Sequence, residues 1–368
     1  MADLTKLNKS ELQEILSSLN KKYEDFVSRN LKLDMSRGKP CSEQLDLSMD
    51  MLEYRAEPGE FKTKSGMDVR NYGLVDGIPE AKELFAQMLE VSPEQIIIGN
   101  NSSLSMMFDT ISRAMNFGVG EGSVPWCKQP KVKFICPSPG YDRHFAITQL
   151  FNVEMIVVDM KADGPDMDAV ERLVSEDEAV KGIWCIPKYS NPDGITYSDE
   201  VVDRLAGMKT AAIDFRIFWD NAYVVHHLTD CPDRLKNIIE ACNTAGNGDR
   251  AYVFASTSKI TFPGAGIAMM ASSENNISMA KKYLSIKTIG PDKLNELRHV
   301  RFLKDMAGIT AHMKKHAAIL KPKFDLVLDL MESELGDKNI ASWNKPNGGY
   351  FISFNAMPGC AAAAVKMA

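Results

Sequence analysis

The chain has 368 residues, of which 45% are apolar and 25% charged, and its formal net charge is −6 at pH 7. That acidic balance argues against a nucleic-acid surface or a basic membrane patch as its main business. No run approaches the roughly 18 apolar residues of a membrane span. The N-terminus lacks the apolar core of a signal peptide. The length allows two domains and a large core. The seven cysteines are scattered, with no Cys-x-x-Cys pair. That pattern reads as reduced thiols in a cytoplasmic protein.

Residues 10–28 read as an amphipathic helix, with Ser10 and Gln13 as a capping box and Leu12, Ile15, Leu16, Leu19, Tyr23 and Phe26 on one face. Glycine-marked loops follow at 34–50 and 71–79, then a helix at 80–89. From there short apolar runs alternate with helical stretches. Strands are expected at 96–98, 133–136, 154–159, 182–187, 215–220, 252–257 and 266–271. Helices are expected between most of them, including 103–115, 166–175, 198–208 and 232–242. Continuous apolar strands alternating with helices imply a seven-stranded, mainly parallel α/β sheet covered on both faces. Beyond about residue 276 the pattern turns helical, with one long helix or a pair over 292–332 and a strand at 348–354. The expected division is a large domain at 61–275 and a smaller α+β domain built from both chain ends, 1–60 and 276–368.

In such sheets ligands bind beyond the carboxyl ends of the strands. Several strand ends carry chemistry. Asn101, Ser102 and Ser103 lie between a strand and a helix, where backbone N–H groups and hydroxyls can cradle a phosphate. Tyr141 follows Pro139-Gly140 and can stack on a planar ring. Asn191 precedes Pro192, a turn signal. Asp220 closes a very apolar strand and needs a cationic or hydrogen-bonding partner if buried. Asp214, at the start of that strand, reads as a turn residue. The run Ser256-Thr257-Ser258-Lys259 delivers hydroxyls and one amine to a strand end, which suits a covalently bound carbonyl cofactor beside a phosphate. Taken singly, each residue is ordinary. Together they fall along one edge of one sheet.

Eight strings carry a family resemblance: Ser36-Arg37-Gly38-Lys39-Pro40, Asn71-Tyr72-Gly73-Leu74-Val75-Asp76-Gly77-Ile78-Pro79, Gly99-Asn100-Asn101-Ser102-Ser103, Pro139-Gly140-Tyr141-Asp142-Arg143-His144, Pro187-Lys188-Tyr189-Ser190-Asn191-Pro192, Trp219-Asp220-Asn221-Ala222-Tyr223, Ser256-Thr257-Ser258-Lys259 and Gly348-Gly349-Tyr350-Phe351. The chain resembles the fold-type I aminotransferases that use pyridoxal 5'-phosphate (PLP), within the class I superfamily, and looks most like the type Ic aspartate aminotransferase subgroup. The resemblance implies that Lys259 holds the cofactor and shuttles a proton. It implies that Asp220 keeps the pyridine nitrogen protonated, that Tyr223 and Asn191 bond the ring oxygen, and that Tyr141 stacks on the ring. Asn101, Ser102, Ser103, Ser256 and Ser258 would bind the phosphate. Tyr72 would reach the phosphate of a partner subunit, implying a homodimer with shared sites. Gly38, beside Arg37, falls where the family's N-terminal segment closes over the substrate carboxylate. Arg37, Lys39 and Lys287 are the candidate cations for a second carboxylate.

Two departures from the family pattern stand out. No Arg or Lys occurs from Ile260 to Ser273, where the family commonly places an arginine on the phosphate. The family's arginine for the substrate α-carboxylate lies beyond the Gly-Gly-Tyr-Phe string, whereas the last arginine here is Arg301. The expectation is that the C-terminal part of the smaller domain is missing. His312 and His316 have the spacing of a zinc pair, but Met313 stands where a zincin has Glu and no third ligand is evident, so no metal is expected. The leading reading is an aminotransferase moving an amino group between aspartate or glutamate and a 2-oxo acid. The alternatives are a non-catalytic binding protein on this fold and a PLP lyase or a transaminase of other specificity.

Overall fold

The computed structural model describes residues 3–32, 38–53 and 60–367. Its centre is an eight-stranded sheet. The strands are β1 (Ile96–Ile98), β2 (Lys133–Ser138), β3 (Glu154–Lys161), β4 (Gly164–Pro165), β5 (Val180–Cys185), β6 (Arg216–Asp220), β7 (Ala251–Ser256) and β8 (Ala268–Ala271). They lie in the order β1-β8-β7-β6-β5-β2-β3-β4. The run from β3 through β2, β5 and β6 to β7 is parallel, and β8 is antiparallel to both β1 and β7.

Both faces of the sheet are covered, which explains the unbroken apolar runs. Alternate side chains enter opposite cores. Ile135, Ile183, Cys185, Ile217, Trp219 and Val253 pack into one. Phe134, Trp184, Phe218, Tyr252 and Phe254 pack into the other. Phe218 is fully buried, with ring centroids 4.9 Å from Trp184 and 5.4 Å from Phe134. Removing such a ring costs about 3–5 kcal/mol.

The seven expected strands are all present within a few residues. The eighth is the two-residue β4, a return beside β3 too short to leave a periodic signal. The first helix spans Lys9–Ser28, but its capping box is Asn8 with Glu11, not Ser10 with Gln13. Asn8 Oδ1 accepts from Ser10 and Glu11 N–H groups at 2.9 and 3.1 Å. Its apolar residues Leu16, Leu19 and Phe26 remain exposed. The helix expected over 232–242 begins only at Ile238. Asn237 caps it by accepting from Ile239 and Glu240, while Asp233 is tied instead to Thr196 and Asn347. The region 292–332 is a pair of helices, Lys293–Leu303 and Met306–Leu335. No strand runs over 348–353. Gly348 forms only a bridge to His227, and the strand there is Phe354–Ala356, paired with Ala341–Trp343. Gly349 has a φ of +79°, which interrupts an extended run.

Candidate active site

The carboxyl ends of β1, β2, β5, β6 and β7 open on the same edge of the sheet. On β6, the parity that buries Phe218 also carries Asp220 inward, where it is 4% exposed. Its Oδ2 accepts from His144 Nε2 at 3.0 Å. His144 belongs to helix Asp142–Leu150, is itself buried, and stacks on the Trp184 ring at 4.4 Å. Asp220 Oδ1 is buried with no partner. A buried carboxylate oxygen without a donor is costly. The position fits a ligand that brings a donor to it.

Lys259 follows β7 in the turn that begins at Thr257. Its Nζ lies 5.0 Å from the centroid of the Tyr223 ring. The side chain as a whole is half-buried, yet its amine is held below the ordinary lysine range by desolvation, which outweighs the attraction of nearby Asp220. That is the environment of a nucleophilic amine. Tyr223 is buried, and burial, reinforced by Asp220, pushes its phenol well above the usual range, so it stays a neutral donor. Tyr141 packs with Tyr350 and Phe351 against the cluster of Ile186, Tyr189 and Tyr223.

The two hydroxyl-bearing loops meet at one end of this site. Ser256 Oγ bonds Ser258 Oγ at 3.0 Å, and Ser258 Oγ donates to the Asn101 carbonyl at 3.2 Å. Ser102 caps helix Ser103–Phe117 by accepting from Ser105 N–H. The remaining first-turn amides of that helix are available to an anion. The chain after Lys259 carries no Arg or Lys through Ser273. It is held by amides instead. Asn101 Nδ2 donates to the Gly264 carbonyl, and Asn295 Nδ2 donates to those of Ala265 and Gly266. The hydroxyls, the helix N-terminus, the shielded amine and the unpartnered carboxylate oxygen together suit a phosphorylated aromatic aldehyde.

Asn191 lies beside Tyr141, His144 and Ser190 around a small cavity. The Gly348-Gly349-Tyr350-Phe351 segment crosses the site, and Gly38 is pressed against it. A Cβ on Gly38 would stand 2.6 Å from Phe351 Cζ. Tyr72 is 77% exposed, in a surface groove shared with Ile289 and Gly290. Lys39 is exposed. Lys287 is engaged by Asp109 in an ion pair at the outer side of the Asn101–Ser102 loop, so within its own chain it is not a free cation for a second carboxylate. Arg37 lies outside the described residues. Asp214 stands in the turn before β6, as expected. It is buried at the opposite end of the sheet, where it takes Lys181, Trp126 and Gln129.

His144 is the residue that sequence reasoning missed. It stands in one of the matched strings, three residues after Tyr141 and so one helical turn along the same face, which was its available signal. Among the described residues no group of His, Cys, Asp or Glu is arranged to hold a metal ion.

The sequence model of the aspartate amino-transferase family matches residues 7–368. The chain belongs to this family. This aminotransferase is 47% identical over 350 residues to the aspartate aminotransferase of Corynebacterium glutamicum, covering 95% of this chain and 81% of that one. Its structure matches the crystal structure of an aspartate transaminase from the same organism with a TM-score of 0.96 and 45% identity, over 100% of this chain and 86% of that one. It shares the fold of an alpha-aminoadipate aminotransferase from Thermus thermophilus, complexed with N-(5'-phosphopyridoxyl)-L-leucine, at TM-score 0.68 and 19% identity, covering 89% of this chain and 77% of that one. The family match reaches the last residue, so it lends no support to the expected loss of a C-terminal part.

Proposed function

We propose that this aminotransferase uses PLP and moves the amino group of L-aspartate or L-glutamate to a 2-oxo acid. The single observation that carries the cofactor reading is the pairing of a buried, unpartnered Asp220 Oδ1 with a desolvated Lys259 amine across one strand edge. The relatives named aspartate aminotransferase support the substrate. When bound, PLP supplies an electron sink that lets the amino-acid Cα–H bond break and stores the amino group between half-reactions.

The chain's own residues do the rest. Lys259 Nζ would hold the cofactor covalently, and as a free amine it would carry the proton removed from the substrate Cα. Asp220 Oδ1 would accept from the ring N–H and keep it protonated. His144 fixes the carboxylate by occupying Oδ2. Tyr223 and Asn191 would donate to the ring oxygen, and Tyr141 would cover the ring. Asn101, Ser102, Ser103, Ser256 and Ser258 bind the phosphate in place of an arginine. Tyr350 and Phe351, with Gly38 against them, exclude water from the reacting face.

The same reading makes the protein a homodimer with shared sites. Exposed Tyr72 and Ile289 line one surface groove, with Ile286 exposed nearby, an apolar patch suited to a second copy. The large domain corresponds to residues 61–275 and the smaller to both chain ends. The cysteines carry no disulfide, which supports a cytoplasmic setting. No helix among the described residues is long and apolar enough to cross a membrane.

The test is spectroscopic. Protein loaded with PLP should show a near-visible band that shifts on adding L-aspartate and returns on adding 2-oxoglutarate. A band that L-aspartate leaves unchanged would sink the substrate reading.

A further inference from the structure

All six histidines of the chain make hydrogen bonds in or next to the candidate site. Three of them reach the turn that carries Lys259, each from a different element. His226, after β6, meets the Lys259 carbonyl at 3.3 Å. His299, on helix Lys293–Leu303, meets the Thr257 and Thr261 hydroxyls at 3.1 and 2.9 Å. His312, on helix Met306–Leu335, meets the Ile260 carbonyl at 2.8 Å.

The proton positions follow from what each partner can do. A carbonyl only accepts, so His312 carries its hydrogen on Nε2. Gln44 is oriented by the Cys41 N–H, which donates to its Oε1 at 3.2 Å. Gln44 Nε2 therefore donates to His316 Nδ1 at 3.1 Å and to the Tyr350 hydroxyl at 2.9 Å. That leaves the His316 hydrogen on Nε2, which lies 3.1 Å from His312 Nε2. The Ile260 carbonyl takes the His312 N–H at 2.8 Å, with His316 packed behind it, and that carbonyl favours the protonated form of each ring.

The groups around this pair also oppose a second proton. His312 and His316 are at most 6% exposed. Burial holds His312 below the ordinary imidazole range and takes His316 down to about 4, with His312 adding to the effect on His316. Lys315 on the same helix and His226 from the β6 loop are the charged or titratable neighbours, with Lys259 beyond His226 and Tyr350 beyond Gln44. Burying two imidazoles and an amide only to fill a core is costly, since apolar residues of that size would stabilise it better.

We propose that His312 and His316 are positioning residues for Lys259: two neutral imidazoles, His312 gripping the Ile260 carbonyl and His316 backing His312, that so hold the lysine amine over the Tyr223 ring. Gln44 from the N-terminal side fixes their tautomers and ties them to Tyr350 from the C-terminal side. The two chain ends that cover the site are thereby wired to the turn bearing its amine. This inference rests on Lys259 being the reactive amine.

Two measurements on the cofactor-free protein test it. In wild-type protein with labelled histidine, imidazole nitrogen NMR should find His312 and His316 as neutral Nε2–H tautomers from about pH 5.5 to 8. Either ring titrating inside that range, or carrying its hydrogen on Nδ1, overturns the proposal. The second measurement is the pH dependence of Lys259 reductive methylation with formaldehyde, followed by peptide mass spectrometry. His312→Leu should raise its midpoint by about half a unit or more, as water reaches a loosened turn. His312→Gln, whose amide can still donate to the carbonyl, should restore it. One midpoint for all three proteins overturns the proposal. If His312→Leu fails to fold, the wild-type NMR result decides. Neither readout needs PLP, so failure of the cofactor reading is distinguishable.

Discussion

Asp220 gives one oxygen to His144 at 3.0 Å and keeps the other buried and unpartnered. The carboxylate is thus clamped from one side and open on the other. Asp220→Asn keeps the shape and loses the charge, so turnover with L-aspartate should fall about 100- to 1,000-fold. His144→Ala frees Oδ2 and should cost about 10- to 100-fold. His144→Gln, with an amide near the Nε2 position, should recover part of that loss. Steady-state kcat reads all three, and a His144→Ala variant with wild-type kcat would remove the clamp from the account.

Glu296 gives a stability prediction with a definite sign. It is fully buried, accepts from the Ile78 N–H at 2.7 Å, and burial pushes its carboxyl up to about 8. Between the ordinary glutamate range and pH 8 the folded chain therefore binds more protons than the unfolded one. Stability must fall as pH rises through that window. Glu296→Gln keeps an acceptor for Ile78 and has no proton to lose, so its urea midpoint should be flatter from pH 5 to 8 than that of wild type. Equal slopes in the two proteins would contradict the assignment.

Gly349 combines a φ of +79° with a Cβ position 2.8 Å from Tyr189 Cβ. Gly349→Ala should cost about 1–3 kcal/mol, read as a lower denaturant midpoint. Gly120→Ala, where no atom lies within 4 Å of the added Cβ, serves as the control and should change little.

The proposed sharing of sites between two subunits predicts complementation. Tyr72→Ala and Lys259→Ala proteins should each be impaired, the second more severely. Mixing and reassembling them should create dimers in which one site has both native residues, and activity should rise above the sum of the parts. No recovery in demonstrably mixed dimers would assign Tyr72 to its own chain's site.

The strands were legible because both faces of the sheet are buried. Ile217 and Phe218 enter different cores, so the run stays apolar without alternation. The antiparallel direction of β8 had no such signal, since burial is the same whichever way a central strand runs. The strand expected at 348–354 failed because Gly348 and Gly349 serve close packing on Tyr189, which apolar content does not reveal. Lys259, Asp220 and Tyr223 were singled out through their order along the chain. His144, His312 and His316 were not given roles, because each bonds a partner distant in sequence: Asp220 lies 76 residues from His144, Ile260 lies 52 from His312, and Gln44 lies 272 from His316.

The most direct test of the central claim is to locate the covalent bond. PLP-loaded protein is reduced with borohydride, digested, and its pyridoxyl-bearing peptide identified by mass spectrometry. The account predicts the label on Lys259 alone, lost when L-aspartate is added before reduction. Label on another lysine, or none on a protein that has bound PLP, would contradict it.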